Sequence, residues 1–265
     1  MYQIIETIVR QAGALVLQAR NLHVTEKSAP CDLVTEYDTA VQELLREKLL
    51  AAFPGAGFFG EEEAQHDIAG KRAFFVVDPI DGTTNFIRGL HHSCISVALC
   101  ADGDVEYGAV YNPFMDEMFT AQRGKGAFLN GTPIHVTNAP LEQSIVLYGS
   151  AIYYRETIPA TLRFIETLLP AALDFRRGGS AALDLCYVAA GKADLFFECR
   201  LRPWDYAAGS LLVQEAGGVA TTLRATPLRF TEDCSVAAGN PANYPALLEL
   251  SEKIRAEATM KGRIQ

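Results

Sequence analysis

No apolar run in this chain approaches the roughly 18 positions that a membrane-crossing helix needs. Positive charge is also scarce: 23 Lys and Arg stand against 32 Asp and Glu, a formal net charge of −9. Nucleic acid and anionic membrane surfaces both call for clustered Lys and Arg, so neither is expected as a partner. An anionic substrate would have to be held locally, by metal ions and backbone N–H groups. Cysteine is sparse, six in 265 residues, and none forms a C-x-x-C pair. Cys31, Cys94, Cys100, Cys186, Cys199 and Cys234 therefore read as buried thiols in a reducing compartment, which points to the cytoplasm. The opening stretch MYQIIETIVRQAG mixes Glu6 and Arg10 with apolar residues, the pattern of an amphipathic helix and not of a signal peptide. Repeats, low-complexity tracts and long linkers are absent. Hydrophobic residues make up 49% of the chain, enough for a large core in one domain or two lobes.

What is present centres on Ala73 to Phe86, AFFVVDPIDGTTNF. Ala73 to Val77 is a short Phe- and Val-rich run suited to a strand buried on both faces. Asp78 ends the run, Pro79 removes a ladder donor, and Asp81-Gly82 signals a turn. Asp78 and Asp81 thus project from one strand end with the Ile80 carbonyl between them, a hard oxygen set of the kind Mg²⁺ prefers. Gly82, Thr83 and Thr84 follow at once, and a helix beginning there would aim their N–H groups at an anion.

Helical spacing predicts amphipathic helices over roughly 2–20 and from about Thr35 to Ala52, the second halted by Pro54 and Gly55. Phe58-Phe59 reads as a short strand running into Gly60-Glu61-Glu62-Glu63, and the polar stretch from Ala64 to Arg72 as a loop. Ser93–Cys100 and Val105–Tyr111 form an expected hairpin, followed by short strands at Glu117–Ala121 and Ala127–Leu129. Further helices are expected over Tyr153 to Leu169, Ser180 to Ala190, Trp204 to Ala216 and Tyr244 to Ala256, with a strand at Asp194–Glu198. The class is mixed α/β, helices layered on sheets.

The string Asp78-Pro79-Ile80-Asp81-Gly82-Thr83-Thr84-Asn85-Phe86 resembles the signature of the inositol monophosphatase family, Mg²⁺-dependent, lithium-sensitive phosphomonoesterases. Three further strings agree, in order: Lys27 to Asp38, similar to K-x-x-x-x-D-x-V-T-x-x-D; Gly60-Glu61-Glu62; and Trp204-Asp205-Tyr206-Ala207-Ala208-Gly209 running on to Glu215-Ala216-Gly217-Gly218. The resemblance implies a five-layered α-β-α-β-α sandwich, a single domain over 1–265 with two lobes and the metal site between them. It implies two or three Mg²⁺ ions per site, one held by Glu61, Asp78 and the Ile80 carbonyl and another by Asp78, Asp81 and Asp205. Asp38 would pair with Thr83 to orient the attacking water, Lys27 would lie near the metals, and Gly82, Thr83 and Thr84 would hold the phosphoryl oxygens. Gly179, Ser180, Ala181 and Glu198 match positions that contact inositol hydroxyls, Asp32 and Glu215 read as structural, and His91 and His92 receive no role. The expected activity is hydrolysis of a small phosphate monoester, myo-inositol 1-phosphate first. Histidinol phosphate, fructose 1,6-bisphosphate and 3′-phosphoadenosine 5′-phosphate remain open, as does a regulatory partner protein keeping the fold. A homodimer is expected on the same resemblance.

Overall fold

A computed structural model of the chain describes residues 2–27, 33–63, 65–150 and 152–260. Pro30, Cys31 and Asp32 lie outside the described residues.

The chain opens with α1 (Gln3–Leu17), a small antiparallel pair β1 (Val24–Glu26) and β2 (Leu33–Thr35), and α2 (Glu36–Ala52). A seven-stranded sheet follows in chain order: β3 (Gly57–Gly60), β4 (Ala73–Asp81), β5 (Cys94–Ala101), β6 (Asp104–Asn112), β7 (Glu117–Gln122), β8 (Gly126–Leu129) and β9 (Thr132–Ile134). Helix α3 (Thr83–Arg88) joins β4 to β5. The second half alternates β10 (Ile145–Tyr148), α4 (Ile158–Leu168), β11 (Asp174–Arg176), α5 (Ala181–Ala189), β12 (Leu195–Leu201), α6 (Pro203–Glu215), β13 (Val219–Thr221), β14 (Cys234–Gly239) and α7 (Tyr244–Met260). Its strands form a five-stranded sheet in the order β11-β10-β12-β14-β13.

Alternation of side chains along the strands sets the layers. On β4, Phe75 and Val77 pack with Ile5, Val9, Val41 and Leu45 of α1 and α2, while Phe74 and Val76 face a core shared with α5 and α6. On β12, Phe196 joins that middle core, and Leu195 and Phe197 pack outward against Phe164 and Leu168 of α4 and Leu247 and Leu250 of α7. The result is the five-layered α-β-α-β-α sandwich. Helix α6 is buried nearly all round, as a helix lying between two sheets must be.

Several expected elements move. The helix anticipated from Tyr153 starts as a 3₁₀ turn at Arg155–Thr157, and α4 proper begins at Ile158 with Pro159 in its first turn, where a missing N–H costs nothing. Strand β4 does not stop at Val77 but runs to Asp81 through an irregularity. Strands β10, β11, β13 and β14 have no counterpart in the sequence-based reading. Among the described residues, Cys94, Cys100 and Cys186 are buried free thiols and Cys199 and Cys234 half-buried ones, and no helix is long and apolar enough to cross a membrane.

Candidate active site

The irregularity in β4 builds the centre of the site. Asp78 lies opposite Ser96 of β5 and Asp81 opposite Cys94, so three steps on β4 (81 − 78 = 3) meet two on β5 (96 − 94 = 2). That single extra residue is a β-bulge, placed where Pro79 has no N–H for the ladder. Asp78, 2% exposed, accepts the Ile80 N–H at 2.9 Å, which folds its carboxylate back over the bulge. Asp81, 8% exposed, accepts through Oδ2 from the Ser180 hydroxyl at 2.6 Å and the Ala182 N–H at 2.7 Å. Ser180 is at once the N-cap of α5, so its hydroxyl is committed to Asp81 and to the helix start. Asp205 stands in the first turn of α6 and takes the Arg202 N–H at 2.8 Å.

These elements bring Asp78, Asp81 and Asp205 together, one carboxylate oxygen from each lying within 4.8 Å of the others. Burial, then the charges of Glu61, Asp81 and Asp205, drives the Asp78 carboxyl well above the usual carboxylate range. Burial, then Asp81 and Glu61, does the same to Asp205. Asp81 is pushed up to about 6 by burial, its two hydrogen bonds opposing the rise. Buried carboxylates that repel each other this strongly are a poor arrangement for a protein alone and a good one for a hard divalent cation, which replaces the repulsion by coordination. The donor set therefore fits Mg²⁺.

Glu61 lines the same cleft at the end of β3, but its carboxylate is held by Lys27 Nζ at 2.9 Å. Lys27 also bridges to Glu62. Thr83 donates toward the Ile80 carbonyl at 3.1 Å and lies 3.3 Å from Asp38 Oδ1. The other Asp38 oxygen takes the Thr35 N–H at 2.7 Å and hydroxyl at 2.6 Å, closing the capping box of α2. Burial raises the Asp38 carboxyl to about 6. Gly82, left-handed at φ 86°, turns the chain into α3, and the first-turn N–H groups of that helix have no helical acceptor.

The cleft encloses about 360 Å³. Gly82, Thr83, Thr84, Gly179, Ser180, Ala181 and Glu198 all line it, as do Ile80 and the three aspartates. Sequence reasoning missed Gly149, Ile152, Tyr153, Arg177 and Asp184 on the same walls. The apolar run Ile145 to Tyr148 ending at Gly149-Ser150 is the signal that could have found the first of them, since it repeats the strand-then-small-residue pattern of the main motif. Glu215 is structural: its carboxylate receives the Gly124 and Gly126 N–H groups at 2.7 and 2.8 Å. Cys199 accepts from the Thr161 hydroxyl at 3.4 Å and packs against the small sheet.

Comparison with known proteins assigns this sandwich, with its acidic cluster at a bulged strand end, to a family. The chain belongs to the inositol monophosphatase family, whose model matches residues 1–256. It is 38% identical over 241 residues to the Nus factor SuhB of Xylella fastidiosa, covering 87% of this chain and 86% of that protein. It is 34% identical over 250 residues to the inositol-1-monophosphatase of Bacillus subtilis, covering 91% and 92%. The crystal structure of the extragenic suppressor protein suhB from Bartonella henselae superposes with a TM-score of 0.88 at 34% identity, over 95% of this chain and 98% of that one. Family membership supports a phosphatase.

Proposed function

We propose that the protein is a Mg²⁺-dependent phosphatase that hydrolyses myo-inositol 1-phosphate to myo-inositol and phosphate. The observation that carries the chemistry is the convergence of Asp78, Asp81 and Asp205 from two distant elements. In this reading Asp78, Asp81 and Asp205, with Glu61 and the Ile80 carbonyl, hold the ions. Bound Mg²⁺ supplies Lewis acidity toward phosphoryl oxygen and lowers the pKa of coordinated water. The protein's own part is to place and orient. N–H groups of Gly82, Thr83 and Thr84 receive the phosphoryl oxygens, and backbone donors cost no reorganisation as charge develops there. Thr83 and Asp38 take up and orient the proton of the attacking water. No side chain acts as a covalent nucleophile.

The substrate assignment draws on Glu198, 6% exposed in the cleft wall, and on Gly179-Ser180-Ala181, which line the same cleft. A carboxylate set there can accept hydrogen bonds from ring hydroxyls, and an analogue lacking the hydroxyls forgoes those bonds. A phosphate-release panel tests the reading: myo-inositol 1-phosphate, fructose 1,6-bisphosphate, histidinol phosphate and 3′-phosphoadenosine 5′-phosphate, each with Mg²⁺ and with EDTA. The expected order of kcat/KM places myo-inositol 1-phosphate first and fructose 1,6-bisphosphate next. A clear preference for either of the other two refutes the assignment.

A second reading, a regulatory partner that keeps the fold, draws on the name Nus factor carried by the Xylella fastidiosa relative. Absence of phosphate release from all four esters would favour it. A cytoplasmic homodimer completes the proposal, on family resemblance and the free thiols; a monomer mass in light scattering at micromolar protein would refute the dimer.

A further inference from the structure

Asp67 folds back onto β3, the strand that leads into Glu61. Phe58 and Asp67 exchange backbone hydrogen bonds, Phe58 N–H to the Asp67 carbonyl at 3.2 Å and Asp67 N–H to the Phe58 carbonyl at 3.1 Å. The approach is close enough that a Cβ on Gly57 would lie 2.2 Å from the Asp67 carbonyl oxygen. Antiparallel pairing of Phe58 with Asp67 puts His66 opposite Phe59, and the two rings meet edge to face with centroids 4.1 Å apart. Trp204 completes a three-ring cluster, 5.4 Å from Phe59 and 6.2 Å from His66. The Arg202 guanidinium lies over Trp204 at 5.6 Å. Burial lowers the imidazole pKa, against a smaller opposing pull from Glu63, so the ring packs as a neutral aromatic. Its Nδ1 is enclosed with no hydrogen-bond partner among the described residues, which leaves packing as the role of this edge of the ring.

Phe59 stands two residues before Glu61, and Trp204 directly precedes Asp205. The ring cluster therefore ties the end of β3 to the first turn of α6, two elements that carry acidic groups 144 positions apart in the chain (205 − 61 = 144). We propose that His66 is a positioning residue for metal binding: its ring fixes the end of β3 against Trp204 and so sets Glu61, which follows that strand, relative to Asp205. This rests on the reading of Glu61 and Asp205 as metal ligands given above. The role is one of geometry, with no contact between His66 and substrate.

The test is calorimetric titration of Mg²⁺ into metal-stripped wild type, His66→Ala and His66→Phe, with the metal-free melting temperature of each. Removing an edge-to-face ring contact is expected to weaken Mg²⁺ binding about fivefold in His66→Ala, and His66→Phe is expected to return within about twofold of wild type. The metal-free melting temperature of His66→Ala shows that the variant is folded, so that weaker binding is read on an intact protein. Wild-type affinity in His66→Ala overturns the inference and leaves the phosphatase reading standing. A His66→Phe protein as weak as His66→Ala also overturns it, since the ring would not be the cause. Absence of Mg²⁺ binding by the wild type overturns both. If His66→Ala does not fold, His66→Gln, which keeps bulk without a ring, takes its place with the same expected outcomes.

Discussion

Gly149 and Glu198 approach so closely that a methyl group on Gly149 would lie 1.8 Å from Glu198 Oε2. The glycine directly follows β10 and the glutamate lies within β12, the strand paired with β10. No side chain other than hydrogen leaves the carboxylate where it stands in the cleft wall.

Gly149→Ala should therefore act as a remote version of Glu198→Gln. Both are expected to lower kcat/KM for myo-inositol 1-phosphate by about 10- to 100-fold, the usual cost of losing hydrogen bonds to a charged group. Turnover of a plain aryl phosphate, whose leaving group has no hydroxyl to offer, should fall much less. Steady-state kinetics on the two substrates decide it. Equal losses on both would make Glu198 a support for Asp205, to which it adds repulsion.

Asp78 sits at the bulge and feels Glu61, Asp81 and Asp205 together. Asp78→Asn should cut turnover at saturating Mg²⁺ by about 10³-fold or more, the effect of losing several kcal/mol of transition-state stabilisation. In EDTA the same substitution relieves a buried repulsion, so the melting temperature should hold or rise. Substantial activity in the variant would end the assignment of Asp78 as a ligand.

Thr83 follows the Gly82 cap of α3, so its hydroxyl is free of capping duty and lies between the Ile80 carbonyl and Asp38. Thr83→Ala leaves Asp38 with both Thr35 hydrogen bonds, and the stability cost should be on the order of 1 kcal/mol. If the hydroxyl orients the water, kcat should drop by about 10²-fold. A variant with near-wild-type kcat would show the hydroxyl to be structural.

The acidic cluster also fixes a pH dependence for the metal-free protein. Asp38 and Asp81 are raised to about 6 and Glu62, beside Glu61 and Lys27, to about 7, chiefly by burial. A carboxyl whose folded pKa lies above its unfolded value, near 4, binds its proton more tightly when folded. Its stabilising contribution is complete below the unfolded pKa and is lost as pH rises through the folded one. The melting temperature in EDTA should thus fall between about pH 4 and pH 7, and the increment on adding Mg²⁺ should widen over the same window. A metal-free melting temperature that is flat or rises across that window would contradict this account.

Much of the site was legible because its parts are local. Asp78, Pro79 and Asp81 share one strand end, and spacing alone puts two carboxylates and a carbonyl together there. Asp205 at the start of α6 and Thr35 to Asp38 at the start of α2 follow from capping and helix periodicity. Resemblance along the same strings named the family, which its model match over residues 1–256 shows.

Contacts between distant segments were decided only by the tertiary structure. The Ser180 hydroxyl binds Asp81 across 99 residues, Lys27 meets Glu61 across 34, and His66 reaches Trp204 from a stretch that reads in the sequence only as a polar loop. All of the second sheet except β12, expected at Asp194–Glu198, was illegible for a related reason. Strand β14, Cys-Ser-Val-Ala-Ala-Gly, has little intrinsic β-propensity, and β11 and β13 have three residues each. Such segments become strands because β10, β12 and, for β13, β14 offer them edges and α4, α5, α6 and α7 cover their faces. Residue type and spacing along a single element thus settled which groups could do the chemistry. Pairing and packing between elements far apart in the chain settled which of those groups are held, buried and turned into the cleft.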